Sequence, residues 1–226
     1  MLAGKNIKIF FFGDSICVGQ HVSIHRGWVT RLSAALSAFG EERSATITVT
    51  NASANGRTTR DALDRIGYEL QNLHPDIVII QFGMNDCNYW LSDKGLPRVS
   101  PRSFHANLEE IVHRARHFGA RHIFLNTNHP TGLDTDLFPF TETTYQQSNS
   151  RYNEIIRDVA KALPQQVELN DIEKHFLTQT KNDRELIRSY LLPAPDLLHL
   201  NEEGHNLYFH LLYPIISNRI VKLFTF

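Results

Sequence analysis

The sequence predicts an α/β fold, a parallel sheet with helices on both faces. Three observations carry this. Short apolar runs alternate along the chain with longer segments of helical period. The apolar runs lack the polar alternation of a half-exposed sheet, as strands covered on both sides do. Three of the runs end in Gly, Asp, Asn or Ser, at the carboxyl edge where an open parallel sheet binds its ligands.

The first strand is expected over residues 7–12, "IKIFFF", followed by an amphipathic helix over 28–39 that Gly40 should close. Residues 45–53 are rich in β-branched side chains and predict the second strand. The helix over 59–73 places Leu63, Ile66, Leu70 and Leu73 on one face, and His74-Pro75 should end it. Residues 76–83, "DIVIIQFG", form the third strand, and their continuous apolarity argues for a central position. Residues 87–101 predict an irregular insertion. A helix over 103–119 with Ser103 as its N-cap then leads to a fourth strand over 121–128. After a loop over 130–142, helix is expected in at least the second half of 144–163. A short strand over 166–171 and more helix in 172–192 follow. The last helix should begin near Asn201 and bend at Pro214. No repeat or linker divides the chain, so residues 1–226 read as a single domain.

Composition excludes several classes. Lysine and arginine number 23 against 24 acidic residues, for a formal charge of -1, without the basic excess that neutralises nucleic-acid phosphates. Only two cysteines occur, Cys17 and Cys87, too few for a disulfide framework or a zinc cluster. They read as buried thiols in a reduced setting. The N-terminal apolar run is short and interrupted by Lys8, and nowhere do about 20 apolar residues run together. A cytoplasmic protein with no membrane span is the expectation. Neither dinucleotide- nor P-loop-type glycine motifs follow the first strand, which weakens a nucleotide-binding reading.

The strand ends carry the chemistry. Gly13-Asp14-Ser15 follows the first strand, Ala54-Asn55-Gly56 the second, and Gly83-Met84-Asn85-Asp86 the third. Asp196 precedes His199 by three residues before the last helix. A serine hydroxyl becomes a nucleophile when a base takes its proton, and a carboxylate on the other ring nitrogen orients that base. Asp-x-x-His supplies both from one turn. Backbone N–H groups of Ser15 and Gly56 and the Asn85 amide are candidate donors to the oxyanion of acyl transfer. Taken singly, each block has a plainer reading as a turn or a helix cap. Four blocks in this order at these places favour catalysis.

These blocks, Gly13-Asp14-Ser15-Ile16, Gly56, Gly83-Met84-Asn85-Asp86 and Asp196-Leu197-Leu198-His199, resemble those of the SGNH hydrolases, the GDSL-type esterases and lipases. Ile16 stands where the family's name expects leucine. The resemblance implies Ser15 as nucleophile, His199 as general base and acid, and Asp196 as its orienter. Ser15, Gly56 and Asn85 are implied as oxyanion donors. It also implies a flavodoxin-like three-layer α/β/α sandwich needing no metal or other cofactor. Asp14 and Asp86 read as loop-fixing residues, and His129, after the fourth strand, reads as an ordinary loop residue in preference to one that lines the pocket. His21, His25, Arg26 and Trp28 border either substrate or a solvated helix start. Histidines 113, 117, 205 and 210 fall in pairs on expected helices, which could suggest metal pairs, but no convincing set of further ligands accompanies them. The expected substrate is a small acyl ester of a polar alcohol such as an O-acetylated sugar, with Asn88, Tyr89 and Trp90 near the site. Lysophospholipase, thioesterase or acyltransferase action on the same machinery is the alternative, ahead of a binding module without turnover.

Overall fold

In the computed structural model, which describes residues 2–224, five parallel strands form one sheet in the order β2-β1-β3-β4-β5. They are β1 (Asn6–Gly13), β2 (Thr46–Asn51), β3 (Ile77–Gln81), β4 (His122–Asn126) and β5 (Val167–Asn170). The helices are α1 (Ser15–Val18), α2 (Trp28–Glu41), α3 (Thr59–Glu69), α4 (Pro101–His117), α5 (Tyr145–Ala162), α6 (Ile172–Gln179), α7 (Arg184–Arg188) and α8 (Glu202–Phe224). Helices α2 and α8 pack together on one face of the sheet, and α3, α4 and α5 pack in series on the other. This is the three-layer arrangement that the sequence pattern and the family resemblance predict.

Burial follows the strand sequences. Every residue of β3 is buried, as the continuous run Ile77–Gln81 requires of a central strand. In β1, Phe11 meets the Trp28 ring edge-on at 5.3 Å, while Phe12 meets Phe82 at 5.4 Å. Successive phenylalanines thus fill opposite layers, as the alternation of side chains along a strand dictates.

The strand order reverses direction between β1 and β3. At such a switch point, the loops leaving neighbouring strands diverge to opposite faces and open a crevice at the carboxyl edge. The loop after β1 carries Ser15, and the loop after β3 carries Asn85.

Several boundaries differ from the sequence expectations. Helix α4 begins two residues early because Ser100, not Ser103, is the N-cap: its side chain accepts from the Ser103 N–H at 3.2 Å, and Pro101 takes the first helical position. Gly40 lies inside α2 rather than closing it, where a Cβ would come within 2.9 Å of the Ala45 carbonyl and of Ile47. Helix α3 stops at Glu69, and a 3-10 turn over Gln71–Leu73 completes the approach to β3. Helix α5 is helical from Tyr145 onward, fixed by a capping box between Thr144 and Gln147. Pro214 lies within α8.

Candidate active site

Ser15 is the first residue of α1, a four-residue helix whose N-cap, Asp14, accepts from the Ile16 N–H at 3.0 Å. The left-handed Gly19 ends it, and Trp28 supports it through a 2.8 Å hydrogen bond from its indole N–H to the Ile16 carbonyl. The strand thereby turns sharply and leaves Ser15 at the sheet edge. Trp28 is fully buried, stacked on Tyr208 at 4.4 Å, and so borders no substrate; His25 and Arg26 are exposed.

Across 184 positions of sequence, His199 Nε2 lies 3.0 Å from Ser15 Oγ. The other ring nitrogen, Nδ1, lies 2.8 Å from Asp196 Oδ2. Asp196 Oδ1 meanwhile accepts from the Leu198 and His199 N–H groups at 2.9 and 2.6 Å. One carboxylate thus fixes both the turn and the ring. Burial pushes the Asp196 carboxyl up, but the hydrogen bonds from the His199 backbone and ring and from Leu198 outweigh it and hold the group below its ordinary value.

The three predicted donors belong to loops that are tied together. The Ala54 N–H bonds the Gly13 carbonyl at 3.2 Å, bringing the Gly56 loop beside Ser15. Asn85 Nδ2 donates to the Arg57 carbonyl at 3.1 Å, which leaves its second N–H available. The Ser15 and Gly56 N–H groups donate to no acceptor among the described residues. Gly56 adopts φ +73°, a conformation that side chains disfavour. A serine–histidine–carboxylate relay beside such donors can activate a hydroxyl and stabilise an oxyanion.

Two buried carboxyls lie behind this edge. Burial pushes Asp14 up to about 7 and Asp86 up to about 6, the latter against hydrogen bonds from Thr59, whose N–H donates to Asp86 Oδ1 at 2.9 Å. Each carboxyl has one oxygen, Oδ2, with no hydrogen-bond partner. Asp14 caps α1, and Asp86 ties the third block to the start of α3. Both thus hold loops, as expected.

His129 differs from its expected role as an ordinary loop residue. It is fully buried at the end of β4, and its Nε2–H donates to the Leu198 carbonyl at 2.9 Å. Burial pushes its ring down to about 4, so it stays neutral while it holds the loop that carries His199. Its place just after a strand, where site residues gather, is the signal that points to it. Cys17 and Cys87 are free and buried. Among the described residues, a grouping of metal-ligand type comprises His21, Asp196 and His199, with donor atoms within 4.8 Å of one another. The last two are already bonded to each other, and His21 lies edge-on to His199 at 5.3 Å.

Comparison with known proteins agrees with this architecture. The lipase/acylhydrolase from Enterococcus faecalis superposes with a TM-score of 0.70 at 26% identity, covering 94% of this chain and 96% of that one. The acetylxylan esterase Axe2 from Geobacillus stearothermophilus shares the fold, with a TM-score of 0.73 at 21% identity over 96% of each chain. In sequence, an arylesterase of Vibrio mimicus is 29% identical over 123 residues, 54% of this chain; the match spans 56% of that relative's length. The lipoprotein YqeF of Bacillus subtilis (strain 168) is 29% identical over 212 residues, covering 85% of this chain and 82% of YqeF. The GDSL-like Lipase/Acylhydrolase family matches residues 11–207, and with that match across most of its length the chain belongs to this family.

Proposed function

We propose that this protein is a serine esterase that cleaves a carboxylic ester through an acyl-Ser15 intermediate. The observation that carries the reading is the continuous relay of Ser15 Oγ, His199 and Asp196, with links of 3.0 and 2.8 Å. In this mechanism His199 Nε2 takes the Ser15 proton as Oγ attacks the acyl carbonyl. The oxyanion is held by the N–H groups of Ser15, Gly56 and Asn85. His199 then returns the proton to the leaving alcohol, and water repeats the sequence to free the acid and restore Ser15. Asp196 stays ionised throughout and stabilises the imidazolium that forms between the two transfers.

Our reading of the substrate class draws support from the surroundings. Asn88, Tyr89 and Trp90 stand on the segment after the third block, and Trp90 is half exposed. A half-exposed indole offers a flat surface to a sugar ring, and a small acyl group on a polar alcohol, such as an O-acetyl sugar, is our reading of the substrate. Structural neighbours that are acetylxylan esterases support it at the level of fold. A longer acyl chain is the second reading, favoured by the exposed Leu91, Leu96, Leu137 and Phe140 on the same segment and on the 130–142 loop beside it. A cytoplasmic location belongs to the same proposal and draws support from the two free cysteines. No helix among the described residues is long and apolar enough to cross a membrane.

The test is a series of p-nitrophenyl esters of increasing chain length together with O-acetylated sugars, run on wild type and Ser15→Ala. We expect Ser15→Ala to lose about 10⁶-fold in turnover, and acetyl esters to be cleaved fastest. Wild-type activity that survives in Ser15→Ala would remove the nucleophile from the reading. A rate that climbs with chain length to octanoate would replace the acetyl substrate with a longer one.

A further inference from the structure

We propose that Arg98 is a positioning residue that holds two of the oxyanion donors, Gly56 and Asn85, in register; the inference rests on the esterase reading above. Arg98 lies on the irregular segment after β3 and touches neither Ser15 nor His199. Its Nη1 donates to the Gly56 carbonyl at 3.1 Å and lies 3.4 Å from Asn85 Oδ1. One nitrogen therefore bridges two loops that leave different strands.

The neighbours of the two donors are anchored, Ala54 to Gly13 and Asp86 to Thr59, but Gly56 itself is exposed and has no side chain to pack. A Cβ placed on Gly56 would meet nothing within 4 Å, so nothing packs against the residue on that side, and the Arg98 contact to its carbonyl restrains it. With φ +73°, it also carries the wide conformational freedom of glycine. The donor that matters is its N–H, and fixing its carbonyl fixes the peptide plane beside it. Asn85 is held at both ends of its amide: Oδ1 faces Arg98, and one N–H donates to the Arg57 carbonyl at 3.1 Å. A planar amide with two fixed corners has one remaining direction for its second N–H. A cation at Oδ1 also draws electron density from the amide and makes that N–H a better donor.

Arg98 is in turn held from below. Its guanidinium lies 4.2 Å from the centre of the Trp90 ring, and its backbone N–H donates to the Asn88 carbonyl at 2.9 Å. Stacking on an indole suits a planar guanidinium better than an ammonium. Trp90 thus serves as the plate on which the bridging group rests, whatever it does for substrate.

The experiment compares Arg98→Ala and Arg98→Lys with wild type on the best ester of the series, with kcat and KM measured separately. A phenylboronic acid that forms a tetrahedral adduct with Ser15 supplies a second readout. For Arg98→Ala we expect kcat to fall about 10- to 100-fold, less than the loss of a donor itself, because the donors are displaced rather than removed. KM should stay within about threefold and boronate affinity should fall in parallel with kcat, since displaced donors weaken the tetrahedral state and not the bound ester. Arg98→Lys keeps a donor and the charge and should recover part of both. Should Arg98→Ala fail to fold, Arg98→Lys and Trp90→Leu carry the same two readouts, each with a smaller loss in kcat and boronate affinity.

A kcat and boronate affinity unchanged within twofold in the folded variants would overturn the inference, as would a loss confined to KM. The esterase reading fails separately, if Ser15→Ala retains activity. With Ser15→Ala inactive and Arg98→Ala at the wild-type level, only the role of Arg98 falls.

Discussion

Asp196 does two things with its two oxygens, and a single substitution separates them. Oδ1 accepts the N–H groups of Leu198 and His199, while Oδ2 faces the His199 ring. Asn at this position keeps an oxygen for the backbone but turns an NH₂ toward Nδ1. That contact favours the imidazole tautomer with its proton on Nε2, facing Ser15, where no proton can then be accepted. Asp196→Asn should therefore lose about 10⁴-fold in kcat, with the thermal midpoint almost unchanged. Activity above a tenth of wild type, measured on the same preparation as the melt, would show that the ring needs no carboxylate. The same logic explains what was legible at this scale. Ser15, Asp196 and His199 stand out in the sequence because the proposed acyl transfer demands particular residue types in a particular order. His129 and Arg98 act on the backbone carbonyls of Leu198 and Gly56, and many side chains could do so from many places in the sequence.

At the scale of elements, the strands were readable from continuous apolar runs, whereas helix ends depended on local competition that a pattern does not resolve. Ser100 and Ser103 are both good capping residues, and Pro101, suited to the first helical position, decides for Ser100. Gly40 resembles a helix stop, yet it is present because β2 lies too close for a side chain. Gly204 in the first turn of α8 is a second case of close approach. A Cβ there would collide with the Tyr190 carbonyl and stand 2.8 Å from Leu200 Cδ2. Alanine at a helical position normally gains about 1 kcal/mol over glycine, but overpacking costs about 1–3 kcal/mol, and a backbone carbonyl cannot yield as a flexible side chain does. Gly204→Ala should thus destabilise the protein and lower its melting temperature by several degrees, at about 2–4 °C per kcal/mol for a chain of this size. A melting temperature equal to or above that of wild type would mean that α8 can shift along the sheet without cost.

Over the whole molecule, the fold class and the meeting of distant blocks were legible because alternating strands and helices allow few topologies. The strand order then brings the loops of β1 and β3 to one crevice. The buried ionisable groups were not legible, since burial on both sides of the sheet depends on the finished packing, and together they set how stability varies with pH. Asp14 and Asp86 are raised from 3.8 to about 7 and about 6 by burial. Their stabilising contribution is complete below pH 3.8 and is lost as pH rises through those values. His129 and His205 are lowered from 6.5 to about 4 and about 3, again by burial. Their contribution is complete above pH 6.5 and is lost as pH falls toward the folded values. His122, lowered to about 4 by burial and by the Arg219 charge, acts in the same direction. Between pH 4.5 and 6 the carboxyls and the imidazoles oppose each other, each fully buried group contributing a slope of about 1.4 kcal/mol per pH unit. Above pH 6.5 the imidazoles become neutral in both states, and the ionisation of Asp14 lowers the unfolding free energy as pH approaches about 7. His205→Gln, whose amide oxygen can still accept the Trp28 N–H that His205 Nδ1 receives at 3.4 Å, removes one of the opposing groups. Urea unfolding at pH 4.5, 5.2 and 6 should then give the variant a slope about 1.4 kcal/mol per unit lower than wild type. Parallel curves for the two proteins would mean that His205 is not held neutral by its burial.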